Sequence, residues 1–182
     1  MTVQFLDARA AGSREDPLRL FADFDSQNGL LTISDVMPYR PSANPLKGKT
    51  PQEVAEIKQL MKQTIILTDI GEAFSKWDMC FNVKEHLDEA VKAFYSFQAM
   101  KALVLENEVQ SQYNPEHVVQ VRAMDMSGQV YELNSEEVTN GHIAVLMICW
   151  GAQKMRGQLS LIQEDHEPTQ DDEDACNYPF CL

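Results

Sequence analysis

The sequence predicts an α+β, helix-rich domain of three main helices and two short β-hairpins, followed by a disordered acidic C-terminal tail. Three observations predict it. Apolar residues recur at three- and four-residue steps in three segments. Two other segments carry alternating runs on either side of a turn signal. The end of the chain is rich in acids and poor in apolar residues.

Residues 1–17 are small and polar and read as an N-terminal arm; a single globular domain is expected over 18–163, and the tail over 164–182. LRLFADF and LLTISDV flank Ser26-Gln27-Asn28-Gly29, and Asn-Gly between apolar runs is a strong hairpin signal. PYRPSANPLKGK, with three prolines and a glycine, is a loop. The first helix starts at Thr50, with Val54, Ile57, Leu60, Met61, Thr64 and Leu67 on one face. Thr64-Ile65-Ile66 and Gly71 weaken its end. The second runs from about Val83 to Glu108, with Leu87, Ala90, Val91, Phe94, Phe97 and Val104 forming its buried stripe. The second hairpin lies in HVVQVRAMDMSGQVYELN, turning at Asp125-Met126-Ser127-Gly128. The third helix follows Asn134 and continues to about Ile162; Gly141, Gly151 and Gly157 within it suggest a kink or a close helix contact.

The longest apolar run, Ile143 to Trp150, is far shorter than the roughly 20 residues a membrane span needs, so it reads as core and no membrane association is expected. The start of the chain shows no cationic segment followed by an apolar block, so the cytoplasm is the expected compartment. The net charge of −13 repels phosphate backbones and favours partners with basic surfaces. Direct nucleic-acid binding is therefore not expected. Glu164 to Asp174 alone contributes seven acids without Lys or Arg.

Two acidic pairs raise the question of metal chemistry: Glu53 and Glu56 in TPQEVAEIKQLM, and Glu85 and Asp88 in NVKEHLDEAVKAF. A Ser, Thr, Asn or Asp at a helix start with Glu or Gln three residues later satisfies two unpaired backbone N–H groups. Thr50/Glu53, Asn82/Glu85 and Asn134/Glu137 all fit this capping pattern, and Pro51 occupies the favoured first helical position. Asp88 and Lys92 are spaced as a surface ion pair. The pairs also resemble the Glu-x-x-Glu and Glu-x-x-Asp motifs of the all-α nucleoside triphosphate pyrophosphatases, the MazG-like family. That resemblance implies that Glu53, Glu56, Glu85 and Asp88 would hold Mg²⁺ while a bound water attacks the α-phosphate. Caps explain two of the four without a metal, so no catalytic residue and no cofactor are assigned, with Mg²⁺ as the alternative.

Asp23 to Gly29 has the alternating oxygens that open a calcium-binding EF-hand loop. Its glycine falls one position late, and Ser34 stands where the closing Glu belongs, so a hairpin turn is the better reading. His86, His117, His142 and His166 show no metal-ligand or nucleophile spacing, and His142 reads as a boundary residue. Cys80, Cys149, Cys176 and Cys181 read as free thiols, although Cys176, Cys181 and His166 could supply three zinc ligands. Phe94, Tyr95, Phe97, Met100, Met147, Trp150 and Met155 lie at helical spacing and read as core. Lacking a catalytic constellation, the chain is expected to be a non-catalytic acidic interaction protein. An assembly factor, chaperone or inhibitor of a basic partner would fit. The Mg²⁺-dependent hydrolase and a structural subunit of a larger assembly are the alternatives.

Overall fold

The first strand decides the architecture. In the computed structural model, which describes residues 3–13, 16–39, 48–69, 79–125 and 128–163, Val3–Ala10 forms β1. This strand lies within the segment expected to be an arm. It pairs antiparallel with β2 (Leu18–Asp25) and parallel with β4 (Thr64–Thr68). β3 (Leu30–Pro38), β5 (Met79–Cys80) and β6 (Leu103–Leu105) complete a six-stranded mixed sheet in the order β5-β4-β1-β2-β3-β6. β7 (Val119–Asp125) and β8 (Gly128–Leu133) form a separate antiparallel ribbon.

The helix-rich expectation with two hairpins is thereby corrected to an α+β fold organised around this sheet. Both hairpins exist, as β2–β3 and β7–β8, but four further strands were not expected. β1 and β4 escaped for local reasons. β1 buries Leu6, Ala8 and Ala10 on one face, yet Asp7 and Arg9 give it the composition of an exposed segment. TIILT follows helix α1 (Pro51–Gln63) without a break: Thr64 closes the helix and already has extended dihedrals, φ −109° and ψ 131°. The apolar face that continued through Thr64 and Leu67 therefore joined a helix to a strand.

Helix α2 (Val83–Ala99) is shorter than expected because Lys101 adopts φ +54°. The N–H of Ala102 reaches the carbonyl of Phe97 at 2.8 Å, and that of Lys101 reaches Gln98 at 2.9 Å. These are the two bonds of a Schellman stop, normally announced by glycine. β6 and the short α3 (Asn107–Gln112) occupy the chain that was expected to continue α2.

Helix α4 spans Asn140–Gln163. Its start is displaced from the expected position, because Asn134 caps a turn in which the N–H groups of Glu137 and Val138 return to the Asn134 carbonyl. Every residue from Asn140 to Ala152 is buried. A helix apolar around its circumference belongs inside a domain, and α4 packs against β1, β2, β3, β4 and α2. Phe97 of α2 meets Phe24 of β2 edge-on, with ring centroids 6.2 Å apart. Gly151 fits against Leu67 of β4, whose Cδ2 lies 2.8 Å from where a Cβ would stand.

The first turn is the expected hairpin rather than a calcium loop. Gly29 has φ +65°, and Asp25 accepts the N–H of Gln27 at 3.0 Å and the side-chain amide of Asn28 at 2.6 Å. The Asn28 bond holds the Asp25 carboxyl below its ordinary range. Among the described residues no helix is long and apolar enough to cross a membrane. The acidic tail, Cys176, Cys181 and His166 lie outside the described residues.

Candidate functional site

Parallel strands β1, β4 and β5 end at the same edge of the sheet, and the chain leaving each one helps to line a cleft of about 1350 Å³. Such an edge is the usual place for ligands in sheets with parallel strands, since loops and helix starts converge there. Gly12 and Ser13 follow β1, Asp69 follows β4, and Phe81 and Asn82 lead from β5 into α2. Val138 and Ile143 line it from around the start of α4, with Ser135 and Glu136 from the preceding turn.

Asp69 organises the floor. Its Oδ1 accepts the N–H of Ala11 at 2.9 Å, and its Oδ2 accepts that of Gly12 at 2.8 Å. The next amide, on Ser13, donates to Oδ1 of the buried Asn140 at 2.9 Å, and Asn140 Nδ2 donates to the Asp16 carbonyl at 3.0 Å. One acid at a strand end and one amide at a helix start thus pin the loop between β1 and β2. A Cβ on Gly12 would come within 2.8 Å of Asp69 Oδ2, so a side chain there would displace the carboxylate from its two amides.

The wall is the amino end of α2. Asn82 Oδ1 accepts the N–H of Lys84 at 3.0 Å, while the backbone N–H of Asn82 donates to Nδ1 of His86 at 2.9 Å. The expected Asn82/Glu85 capping box is therefore only half made: Glu85 takes the Asn82 side-chain amide at 3.1 Å, and the imidazole takes the backbone. With Nδ1 accepting, the proton of neutral His86 belongs on Nε2. The ring stacks on Trp150, with centroids 4.7 Å apart and planes 27° from parallel. Trp150 Nε1 donates to Glu89 at 3.0 Å, and Lys154 pairs with the same carboxylate at 3.0 Å. Those two partners hold the Glu89 carboxyl below its ordinary value.

The start of α4 repeats the device. His142 Nδ1 accepts the N–H of Thr139 at 3.1 Å, and burial lowers the imidazole's pKa. Cys80 is exposed at the cleft, whereas Cys149 is buried in α4 and its thiol is pushed far up by desolvation.

Of the four carboxylates singled out in the sequence, only Glu85 lines the cleft. Glu53 completes the Thr50 capping box, and Glu56 is exposed on α1. Asp88 accepts the backbone N–H of Tyr131 in β8 at 2.8 Å. Among the described residues no group of three or more His, Cys, Asp or Glu side chains is placed to hold a metal ion. The residues that do line one cleft, Asp69, Lys84 and His86, were not singled out for a site. The available signal was an acid directly after the β-branched run TIILT, which becomes visible once that run is taken as a strand.

Neither a protein-family model nor a curated protein matches the sequence. Among solved structures, the chain is similar to the large terminase nuclease domain of Thermus phage P74-26, with 12% identity and a TM-score of 0.47 over 82% of this chain and 78% of that one. It is also similar to the large terminase nuclease of the thermophilic phage G20c with bound magnesium, with 11% identity and a TM-score of 0.47 over 81% and 80%. The expected non-catalytic interaction protein, assembly factor, chaperone or inhibitor is corrected at this point. It presumed a helix-rich fold without a site, whereas the fold is a mixed sheet with a built cleft. The all-α hydrolase falls with the helix-rich fold, and the structural-subunit alternative, which presumed that no site exists, falls with that premise.

Proposed function

We propose that the chain is a nuclease-like enzyme that cleaves a phosphodiester in the cleft at the ends of β1, β4 and β5. The observation that supports this is convergence: Asp69, Lys84, Glu85 and His86 line one cavity at the amino end of α2. A helix amino end carries partial positive charge, which suits a phosphate. Lys84 adds a full charge beside it. Because the whole chain carries −13, a polyanion gains no long-range attraction, and recognition rests on these local positive features.

In this reading a carboxylate, Glu85 or Glu136, accepts a proton from the attacking water as its oxygen bonds to phosphorus. The bond from phosphorus to the leaving oxygen breaks, that oxygen takes its proton from solvent water, and His86 Nε2–H donates a hydrogen bond to the charge developing on it. Asp69 and Asn140 hold the loop that forms the floor. Attraction to basic protein surfaces is proposed on the net charge, and the cytoplasm as the default compartment; both remain compatible with this activity.

The test is direct. Single- and double-stranded oligonucleotides and a bis-aryl phosphodiester are incubated with the protein in Mg²⁺, in Mn²⁺ and in chelator. Turnover is expected, falling by about 10²–10³ in His86→Ala, which removes the donor to the developing charge, with Lys84→Ala acting mainly on KM. Circular dichroism checks that each variant is folded. Absence of turnover by folded wild-type protein under every condition overturns the proposal.

A further inference from the structure

We infer that Glu89 and Trp150 are positioning residues for His86, holding its imidazole so that Nε2–H is presented to the strand-end cleft. The inference rests on the phosphodiester-cleaving reading of that cleft and names the groups behind it that keep its donor in place. The outer torsion of a histidine side chain has only a broad preference, so a place on a helix does not fix the direction of Nε2. Two contacts do so here. Nδ1 accepts the Asn82 N–H at 2.9 Å, and the ring face lies on Trp150, with centroids 4.7 Å apart. Phe81 meets both rings, its centroid 5.7 Å from His86 and 5.4 Å from Trp150. With Nδ1 occupied, Nε2 is the nitrogen left for a ligand, and His86 lines the cleft.

The stacking ring is itself aimed. Trp150 is buried where α4 packs on α2, and its Nε1–H donates to Glu89 Oε2 at 3.0 Å. An ionised acceptor makes such a bond about twice as strong as a neutral one. Lys154, four residues after Trp150 on α4, reaches the same oxygen at 3.0 Å and lies 5.8 Å from the centre of the Trp150 ring. His86 and Glu89 are three apart on α2, a spacing that puts both on one face of the helix. The residue that directs the indole and the residue that the indole supports therefore stand side by side. Stability does not explain this arrangement. The side chains of Glu89 and Lys154 are 55% and 45% exposed, and an exposed pair contributes little to folding. Burial asks only that the indole N–H find some acceptor; a fixed carboxylate on the helix of His86 also sets the angle of the stack.

The experiment measures kcat and KM on the bis-aryl phosphodiester, together with the long-range ¹H–¹⁵N spectrum of the His86 ring and hydrogen exchange at the Asn82 amide. At mildly alkaline pH the wild type should show a single tautomer protonated on Nε2. Glu89→Ala should lower kcat by about 10- to 10²-fold, the scale of a misplacement near an ångström, with KM unchanged. It should also mix the two tautomers and speed exchange at Asn82, while the urea midpoint stays near that of the wild type. Glu89→Gln keeps an oxygen for the indole and should recover part of kcat. Trp150→Phe keeps a stacking ring without the N–H. Combined with Glu89→Ala it should cost no more than the larger single loss, because the two residues act as one unit. Should Trp150→Phe fail to fold, the two Glu89 variants decide. Unchanged kcat and an unchanged His86 spectrum in Glu89→Ala, or losses that simply add in the double variant, overturn the inference. If the folded wild type turns over no diester, the reading of the cleft fails. The His86 spectrum and Asn82 exchange then decide by themselves whether Glu89 and Trp150 hold the ring.

Discussion

His142 Nδ1 accepts the backbone N–H of Thr139 at 3.1 Å, three residues ahead of it, so an imidazole fills the place that a carboxylate takes in a capping box. The bond requires an unprotonated Nδ1.

Acid should therefore loosen the start of α4. Burial and the nearby His117 lower the pKa of folded His142 below its ordinary 6.5, with Glu137 opposing them. A lowered histidine pKa means that the folded state prefers the neutral ring. Its contribution is complete above 6.5 and disappears as pH falls through the lower, folded-state value. Urea midpoints measured across that window should fall for the wild type and fall less steeply for His142→Asn.

Asp69→Ala removes the acceptor for two backbone N–H groups, those of Ala11 and Gly12. The expected loss is about 1.5–3 kcal/mol of stability, read from chemical denaturation. Hydrogen exchange at Ala11 and Gly12 should accelerate more than exchange within β2–β3. Gly12→Ala should perturb the same two amides by crowding the carboxylate.

Gly141→Ala tests the packing of α4. A Cβ there would lie 2.1 Å from Cδ1 of Tyr113. Overpacking of this kind typically costs about 1–3 kcal/mol. Combining it with Tyr113→Ala should destabilise less than the sum of the two single changes, because the clash is removed in the double variant.

Asp7→Ala would leave Arg9 and Arg19 together without their shared carboxylate. Removing one partner from a fully buried ion group costs about 3–5 kcal/mol; a smaller loss is expected in the thermal midpoint here, because Arg19 is 32% exposed and water screens its charge. Adding Arg9→Leu should recover part of the loss.

What could be read from the residues divides along physical lines. Turn chemistry and amphipathic period are local, so the β2–β3 and β7–β8 hairpins, the Thr50 cap and the α2 stripe from Ala90 to Phe97 were legible, whereas Val104, expected to extend that stripe, lies exposed in β6. Features set by distant partners were not. Asp7 reads as a surface residue until two arginines are folded around it, one on another strand. Lys101 stops α2 in a conformation that normally calls for glycine. Histidine is not an expected capping residue, so neither His86 nor His142 signalled a helix start. The cleft itself depends on β1 and β4 lying side by side, and no local pattern encodes a parallel pair.

That same pair sets the order in which the molecule can assemble. The β2–β3 ribbon closes through neighbours only a few residues apart, whereas Asp7 must find Ile66, 59 positions later, before β4 can dock. Long loop closure slows that step relative to the ribbon. Clipping the first ten residues would not trim a border of the sheet. It would split the sheet between β4 and β2, leaving two fragments with raw, self-adhesive edges.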